Sequence, residues 1–349
     1  MKKIIFSIIA LSAAAFLLVF SAQTRSAVSA AISDCLEIIV PSLFAFSALA
    51  FYLQKSGLYK TALKPLTLPL SKLMRIDEEL CGIFILANIG GFPVGASLLS
   101  ALVSENRLSK KDAERFMCCC FGSGPSFIIG MVGKTVFNSL EAGAALFASC
   151  FLSSLILAAA MRLSGEFSLK KADFRYNFSA KCFINSVSSA AKAMFSVCTM
   201  IVIFSVIAAA LRTIGTEKLF ERLFAVFGEN SSAIFPAILE VTRIKELSAG
   251  KFAMPVCAAL LSFGGVCVAL QITAIVGGKF NLGKFLLSRI PAAALSACFA
   301  AIFSKIIPKI SEQTLAGNVF VQPFSGNAAL SLCLLAMCGI LLSGERKRC

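Results

Sequence analysis

Glu240 is the residue of this chain best placed to do chemistry, because it interrupts the apolar run 233–239 and is followed at once by Val241, Thr242 and Arg243. An acidic group at membrane depth costs several kcal/mol unless it is protonated, paired or solvated, so it either carries a coupling proton or holds a substrate-binding Arg243. A structural ion pair with Arg243 or Lys245 is the alternative. Four more interruptions of apolar sequence supply polar or backbone groups: Asn88 with Gly91 and Pro93; Ser123, Gly124, Pro125 and Ser126; Ser262 with Gly264 and Gly265; and Gln271. Half-helices starting after Gly91 and after Gly124 present free N–H groups and a positive dipole end, which suit a carboxylate. Glycine at such tips lets a backbone come close to a ligand. The substrate-binding candidates are therefore Asn88, Gly91, Pro93, Ser123, Gly124, Pro125, Ser126, Glu240, Thr242, Gly264, Gly265 and Gln271. Tight helix packing by small residues is the competing explanation, and for Ser126 and Ser262 it accounts for the residue equally well.

The chemistry is recognition rather than catalysis. The chain has no His and no Trp, which excludes His-based triads, His metal sites and imidazole relays. Its 14 Cys residues include the run Cys118, Cys119 and Cys120, but no paired Cys-x-x-Cys frame for zinc or redox work. Most of the others lie singly in apolar segments, where Cys behaves as a small hydrophobe. No nucleophile and base assemble without arbitrary choices, so no enzyme activity, metal or cofactor is expected.

The elements that must position these residues occur twice in one order. A spanning segment leads to an interrupted helix, then a short apolar hairpin with Gly at its tip, then another span. The first copy covers 38–162, interrupted at 88–93 and 122–125; the second covers 185–304, interrupted at 240–243 and 262–265. Backbone broken inside a bilayer needs protein or a solvated cavity to satisfy it, so paired breaks point to a binding site at a repeat interface. Of the 349 residues 58% are hydrophobic, and apolar runs at 4–20 and 328–342 add a span at each end. The first of these follows Lys2 and Lys3 and lacks a small-residue cleavage site, so it reads as an uncleaved span.

Lys and Arg bias loops to the cytoplasm. With the N-terminus inside, the cytoplasmic groups are Lys2 and Lys3; Lys55, Lys60, Lys64, Lys72 and Arg75; Arg162, Lys170, Lys171, Arg175 and Lys181; Lys251, Lys279, Lys284 and Arg289; and Arg346, Lys347 and Arg348. Arg107, Lys110, Lys111 and Arg115 then fall outside, with Arg25, the 212–222 group, Lys305 and Lys309. This topology inserts re-entrant hairpins near 116–137 from outside and near 252–277 from inside, and the two halves are inverted. Lys192 is a second charge within a span and is expected to snorkel to the cytoplasmic surface. The net charge of +15 follows from the positive-inside bias and anionic lipid, with attraction of an anionic solute as the sharper alternative. Basic residues spread over short loops on both sides do not make a nucleic-acid surface.

The divisions are 1–37, an N-terminal span and linker; 38–164, the first repeat; 165–184, a polar cytoplasmic linker; 185–305, the second repeat; and 306–349, an outside loop, last span and basic tail. Pro41-Ser42-Leu43-Phe44, the stretch 90–95, the segment 108–115 and Gly122-Ser123-Gly124-Pro125 resemble the YlbJ-type sporulation integral membrane proteins, which carry nucleoside-recognition (Gate) domains. Phe204-Ser205, Glu240-Val241-Thr242, Ser262-Phe263-Gly264-Gly265 and Gln271 agree, so the resemblance covers roughly 38–305. The family often has Asn just ahead of its first Gly-Pro turn, where this chain has Phe121-Gly122-Ser123. The resemblance implies an all-α polytopic membrane protein of two inverted repeats, with broken helices and re-entrant hairpins, similar to concentrative nucleoside transporters. It also implies a part in endospore formation and transport of dipicolinate across the outer forespore membrane. Membrane lipids and a small anionic or nucleoside-like solute are the expected partners, and a homo-oligomer is compatible with them. A membrane scaffold for spore cortex assembly is the alternative function.

Overall fold

A computed structural model describes residues 14–170, 176–250 and 252–306, with Ser7 and Leu11. The last span and the basic tail, expected at 306–349, lie almost wholly outside the described residues, as does about half of the first apolar run. Every regular element described is helical, apart from one isolated bridge between Leu108 and Leu169. Five helical segments are long and apolar enough to cross a membrane: α1, Ser21–Ser56; α7, Leu140–Leu163; α8, Ala180–Thr213; the pair α11, Ala253–Phe263, and α12, Gly265–Val276; and α13, Gly283–Ile306. Between them lie α2, Lys64–Met74; α3, Glu78–Gly90; α4, Phe92–Ser104; α5, Lys110–Met117; α6, Ser126–Phe137; α9, Thr216–Leu223; and α10, Ser231–Leu239.

Local chemistry explains the ends of these helices. Asp77 accepts from Glu79 N at 2.8 Å to start α3, Ser139 accepts from Ala142 N at 3.2 Å to start α7, and Ser179 accepts from Cys182 N at 3.2 Å to start α8. Ser109 and Asp112 close a reciprocal cap on α5, with Ser109 Oγ donating to the Asp112 carboxylate at 2.8 Å and accepting from Asp112 N at 3.0 Å. α1 ends at Gly57, whose φ of 78° is left-handed. The α1 helix carries Pro41, which has no N–H and crowds the carbonyl four residues back; the π turn Cys35–Ile39 just before it absorbs the misfit. The boundary expected at residue 38 therefore falls inside a continuous helix, and α8 likewise begins at Ala180, within the expected linker.

The breaks sit where the sequence placed them, but the chain turns differently at each. α3 and α4, 13 residues apiece, pack back on one another across Gly91 and form a helical hairpin. Each arm is about 20 Å long, too short for a hydrocarbon core of about 30 Å. α10 and the 3-10 turn Val241–Glu246 fold back in the same way across Glu240. By contrast, α11 and α12 follow one another across Gly264 and Gly265 without packing along each other, as do α5 and α6 across the unwound stretch 118–125. The expected roles are thus exchanged: 78–104 and 231–246 are the hairpins, whereas 110–137 and 253–276 are the interrupted through-going segments. Gly and Pro terminate a helix whichever way the chain then goes, and packing against neighbours selects the direction.

This exchange regroups the charges. Arg107 reaches both Glu79 carboxylate oxygens at 2.9 Å, Lys60 reaches Glu79 at 3.1 Å, Arg107 Nε donates to Lys170 O at 3.3 Å, and Arg162 Nε donates to Arg75 O at 3.0 Å. Asn281 N donates to Glu114 at 3.2 Å, and Lys55 Nζ donates to Asn185 O at 2.9 Å. The Lys55–Arg75, Arg107–Arg115, Arg162–Lys181 and Lys279–Lys284 groups therefore share one end of the molecule. At the other end of α8, about 51 Å away by its 34 residues, Arg212 meets Glu246 at 3.3 Å; there Asn230 also joins Ser248, and Lys245 joins Asp34. The Arg107–Arg115 group, expected on the opposite face from Lys55, lies beside it. Arg289, counted among the loop charges, is buried inside α13 at 4% exposure.

The hairpins and interrupted segments form the interior, with α3 and α4 almost wholly buried. Around them, α8 and α13 expose Phe195, Ile203, Leu287 and Ile290, as lipid-facing helices do. Packing across the halves is reciprocal: α1 lies on α8, α7 lies on α13, α4 packs on α12, and Val241–Glu246 packs on α6. Small residues permit the closest approaches. A Cβ on Gly133 would stand 2.8 Å from Gly143 Cα, and Ser153 and Ser296 hydroxyls donate to the Ala292 and Ala258 carbonyls, each at 2.9 Å.

Candidate functional site

Two junctions meet in the middle of the chain, one per half. In the first, Gly91 turns the α3–α4 hairpin with φ 90°, a conformation that L side chains rarely adopt. Gly124, with φ 78°, lays its backbone against this turn: a Cβ there would be 3.1 Å from Ile89 O and 3.5 Å from Gly91 N. Asn88, buried at 3% exposure, donates through Nδ2 to Phe84 O at 2.8 Å and to Cys119 O at 3.5 Å, and its Cα lies 2.9 Å from where a Gly122 Cβ would sit. Gly95 on α4 leaves room for the Cys120 carbonyl, which a Cβ would strike. Pro93 is buried in the first turn of α4, Pro125 precedes α6, and Ser126 opens α6 half-buried. Neither α4 nor α6 has a side chain capping its N-terminus.

The second junction repeats the backbone contact with different chemistry. Gly265, with φ 81°, faces the hairpin turn, where a Cβ would be 3.3 Å from both Ile238 O and Val241 N. The turn residue is Glu240, 2% exposed, whose carboxylate accepts from Thr242 N at 2.8 Å and from the Thr242 hydroxyl. It caps the 3-10 turn, the arrangement that satisfies an orphan N–H at a helix start. The alternative pair with Arg243 or Lys245 is not formed: Arg243 donates to Glu246 at 2.6 Å and to Ser205 Oγ at 3.2 Å, and Lys245 joins Asp34. Glu240 thus holds a buried carboxylate on two local hydrogen bonds and no cation. Gln271 lies farther along α12, its amide donating to Cys267 Sγ at 3.3 Å.

The junctions touch. Ser123 Oγ donates to Leu261 O at 3.4 Å, and the Phe121 ring covers Gly264 so closely that a Cβ there would overlap it. Arg289 binds this contact from α13: it donates to Cys118 O in the first half, to Ser262 O at 3.3 Å in the second, and to Ser288 Oγ at 3.0 Å. Phe121 and Phe285 stack on its guanidinium at 4.6 and 4.8 Å. No carboxylate pairs with it among the described residues. Reading by residue type missed Arg289 because a charge seven residues into a span resembles a loop end. The signal available was its position, two turns inside an apolar 24-residue segment.

No family model matches the chain, and no solved structure matches it. A stretch of 135 residues, 37% of the chain, is 30% identical to the sporulation integral membrane protein YlbJ of Bacillus subtilis (strain 168). The chain spans about a third of the length of that curated relative, 32%. With five helical segments long and apolar enough to cross a bilayer and a relative that is an integral membrane protein, this chain is an integral membrane protein distantly related to a sporulation protein.

Proposed function

We propose that the chain is an alternating-access carrier for a small anionic solute, built from two inverted repeats of the Gate type. The observation that carries the reading is the shared junction geometry: a left-handed glycine of each interrupted segment, Gly124 or Gly265, lies against the turn of the hairpin in its own half. The two hairpins open toward opposite ends, the first beside Glu79 and Arg107 and the second beside Asn230 and Ser248. Paired breaks of this kind mark the solute site of many carriers. The end holding the Lys55, Arg107 and Arg162 groups is cytoplasmic on this reading, because it has most of the basic residues.

The uncapped N-termini of α4 and α6, with Asn88 and Ser123, take a solute carboxylate, and the buried Arg289 adds positive potential behind them. Glu240 occupies the matching position in the second half and is the coupling group, since a lone carboxylate at that depth favours taking up a proton or a cation. The name of the YlbJ relative favours a sporulating cell as the setting, and the family resemblance alone makes the solute dipicolinate, moved across the outer forespore membrane. Uptake of labelled dipicolinate by proteoliposomes containing the purified full chain tests this reading. Uptake above empty vesicles, abolished in Gly124→Leu and Gly265→Leu at equal protein content, is the expected result. Absence of uptake with folded, inserted protein would favour the scaffold for cortex assembly.

A further inference from the structure

A second polar feature lies away from the junctions, between the C-terminal end of α1 and the first turns of α8. It is an open cavity of about 610 Å³ lined by Lys55, Asn177, Ser179, Lys181, Cys182, Asn185, Ser188, Ser189 and Lys192, with no carboxylate in the lining among the described residues. The spacing 181, 185, 188 and 192 puts one face of α8 on it. Lys55 Nζ is held from α1 by Asn185 O at 2.9 Å and Ser189 Oγ at 2.6 Å, and Lys192 adds a like charge in its field. Lys181 and Lys192 are exposed.

Lys55 and Lys192 repel one another, with Lys181 farther along the same lining and no acid among the described lining residues, unless an anion sits among them. The surroundings set the depth of this cavity. Ile184 and Phe195 on α8 are 63% and 76% exposed, as acyl-chain contacts are, whereas Tyr176 and Phe178 stack beside the cavity with centroids 5.9 Å apart, as rings do at headgroup level. This is also the basic end of the molecule, the one that faces anionic lipid.

We propose that this cavity binds a phosphate ester anion, with Lys55, Lys181 and Lys192 as cationic contacts and the Ser188, Ser189 and Asn185 side chains as hydrogen-bonding partners. The two sources of that chemistry are the phosphodiester of an anionic phospholipid and a soluble phosphate compound. The test uses the full chain purified in neutral detergent and native mass spectrometry with phosphatidylglycerol, phosphatidylcholine, glycerol phosphate and inorganic phosphate as probes. Wild-type protein is expected to retain phosphatidylglycerol over phosphatidylcholine, and K181Q/K192Q is expected to lose about thirtyfold in that affinity. K110Q/K111Q, which removes two exposed lysines elsewhere on the same end, controls for general charge. Retention unaffected by glycerol phosphate or inorganic phosphate at matched phosphate concentration assigns the site to lipid; displacement by them assigns it to a soluble phosphate compound. Equal retention of the two lipids with no binding of either soluble probe, or equal losses in both double variants, overturns the proposal.

Discussion

The two hairpin turns share a backbone contact but differ in charge. At Gly91 the turn is neutral, and the α4 and α6 N-termini near it have no side-chain cap; at Glu240 the turn residue itself supplies a carboxylate that caps the following turn. An N-terminus already holding its own anion has little left for another, so on the proposed reading the first half offers this fold element to an incoming anion, whereas Glu240 fills it in the second. The difference also shows in packing. Within the first half Gly95 packs backbone against the Cys120 carbonyl, whereas the contact between the two junctions sets a ring on a glycine, Phe121 on Gly264.

Orientation gives the largest test, because its outcome is all or none. In a background lacking exposed thiols, Asn106→Cys and Lys170→Cys should react with an impermeant thiol reagent from the same face, and Glu229→Cys from the opposite one. Labelling of Asn106→Cys and Glu229→Cys from one face would remove the opposed opening of the hairpins.

Gly95→Ala follows. Its Cβ meets a carbonyl that cannot rotate away, so a stability loss of about 3 kcal/mol is expected in thermal unfolding of the detergent-solubilised protein. Gly264→Ala is strained by a φ of 84° at a cost of about 1–3 kcal/mol, and its clash is with a ring. Phe121→Leu should therefore rescue part of the second defect, whereas no side-chain change should rescue the first.

Arg289→Gln should lower the free energy of unfolding by about 2 kcal/mol, since the Cys118 and Ser262 carbonyls lose a charged donor. Arg289→Lys should recover less than half of that, because a point ammonium cannot span both carbonyls with the guanidinium's fork. Full stability of Arg289→Gln would mean that the two junctions are not joined through this residue.

Glu240→Gln keeps an oxygen that accepts from Thr242 N, so its effect on stability should stay below about 1 kcal/mol, while transport in vesicles is lost. The double change Glu240→Gln with Arg243→Gln should not restore it, since Arg243 is bonded to Glu246 and Ser205. Transport at the wild-type rate in the single variant would leave Glu240 as a cap only. Ser123→Ala is the mildest change: its 3.4 Å bond to Leu261 O is long, and a stability loss under about 1 kcal/mol is expected. Transport falling while stability holds would make Ser123 a solute contact.

The membrane character and the positions of all four breaks were legible in the residues. Apolar length and Gly/Pro punctuation are local properties, and bilayer thickness converts them directly into segments. Glu240 stood out for the same reason, as a charge in an apolar run. The direction of the chain after each break was not legible: Gly91 and Gly264 are both glycines of positive φ, but ψ is 172° at the first, where the chain reverses, and −11° at the second, where it continues. That choice rests on which surfaces the two flanking helices find, α3 against α4 in one case and α11 against α13 in the other. Once it was made, the Arg107–Arg115 group moved to the end that holds Lys55, Arg289 became a buried tie between the halves, and Glu240 became a cap rather than a partner of Arg243. The sequence by itself determined where the helices stop, because stopping is set by a residue's own φ and N–H. Only the tertiary structure decided which charges meet, because that depends on contacts between residues far apart in the chain.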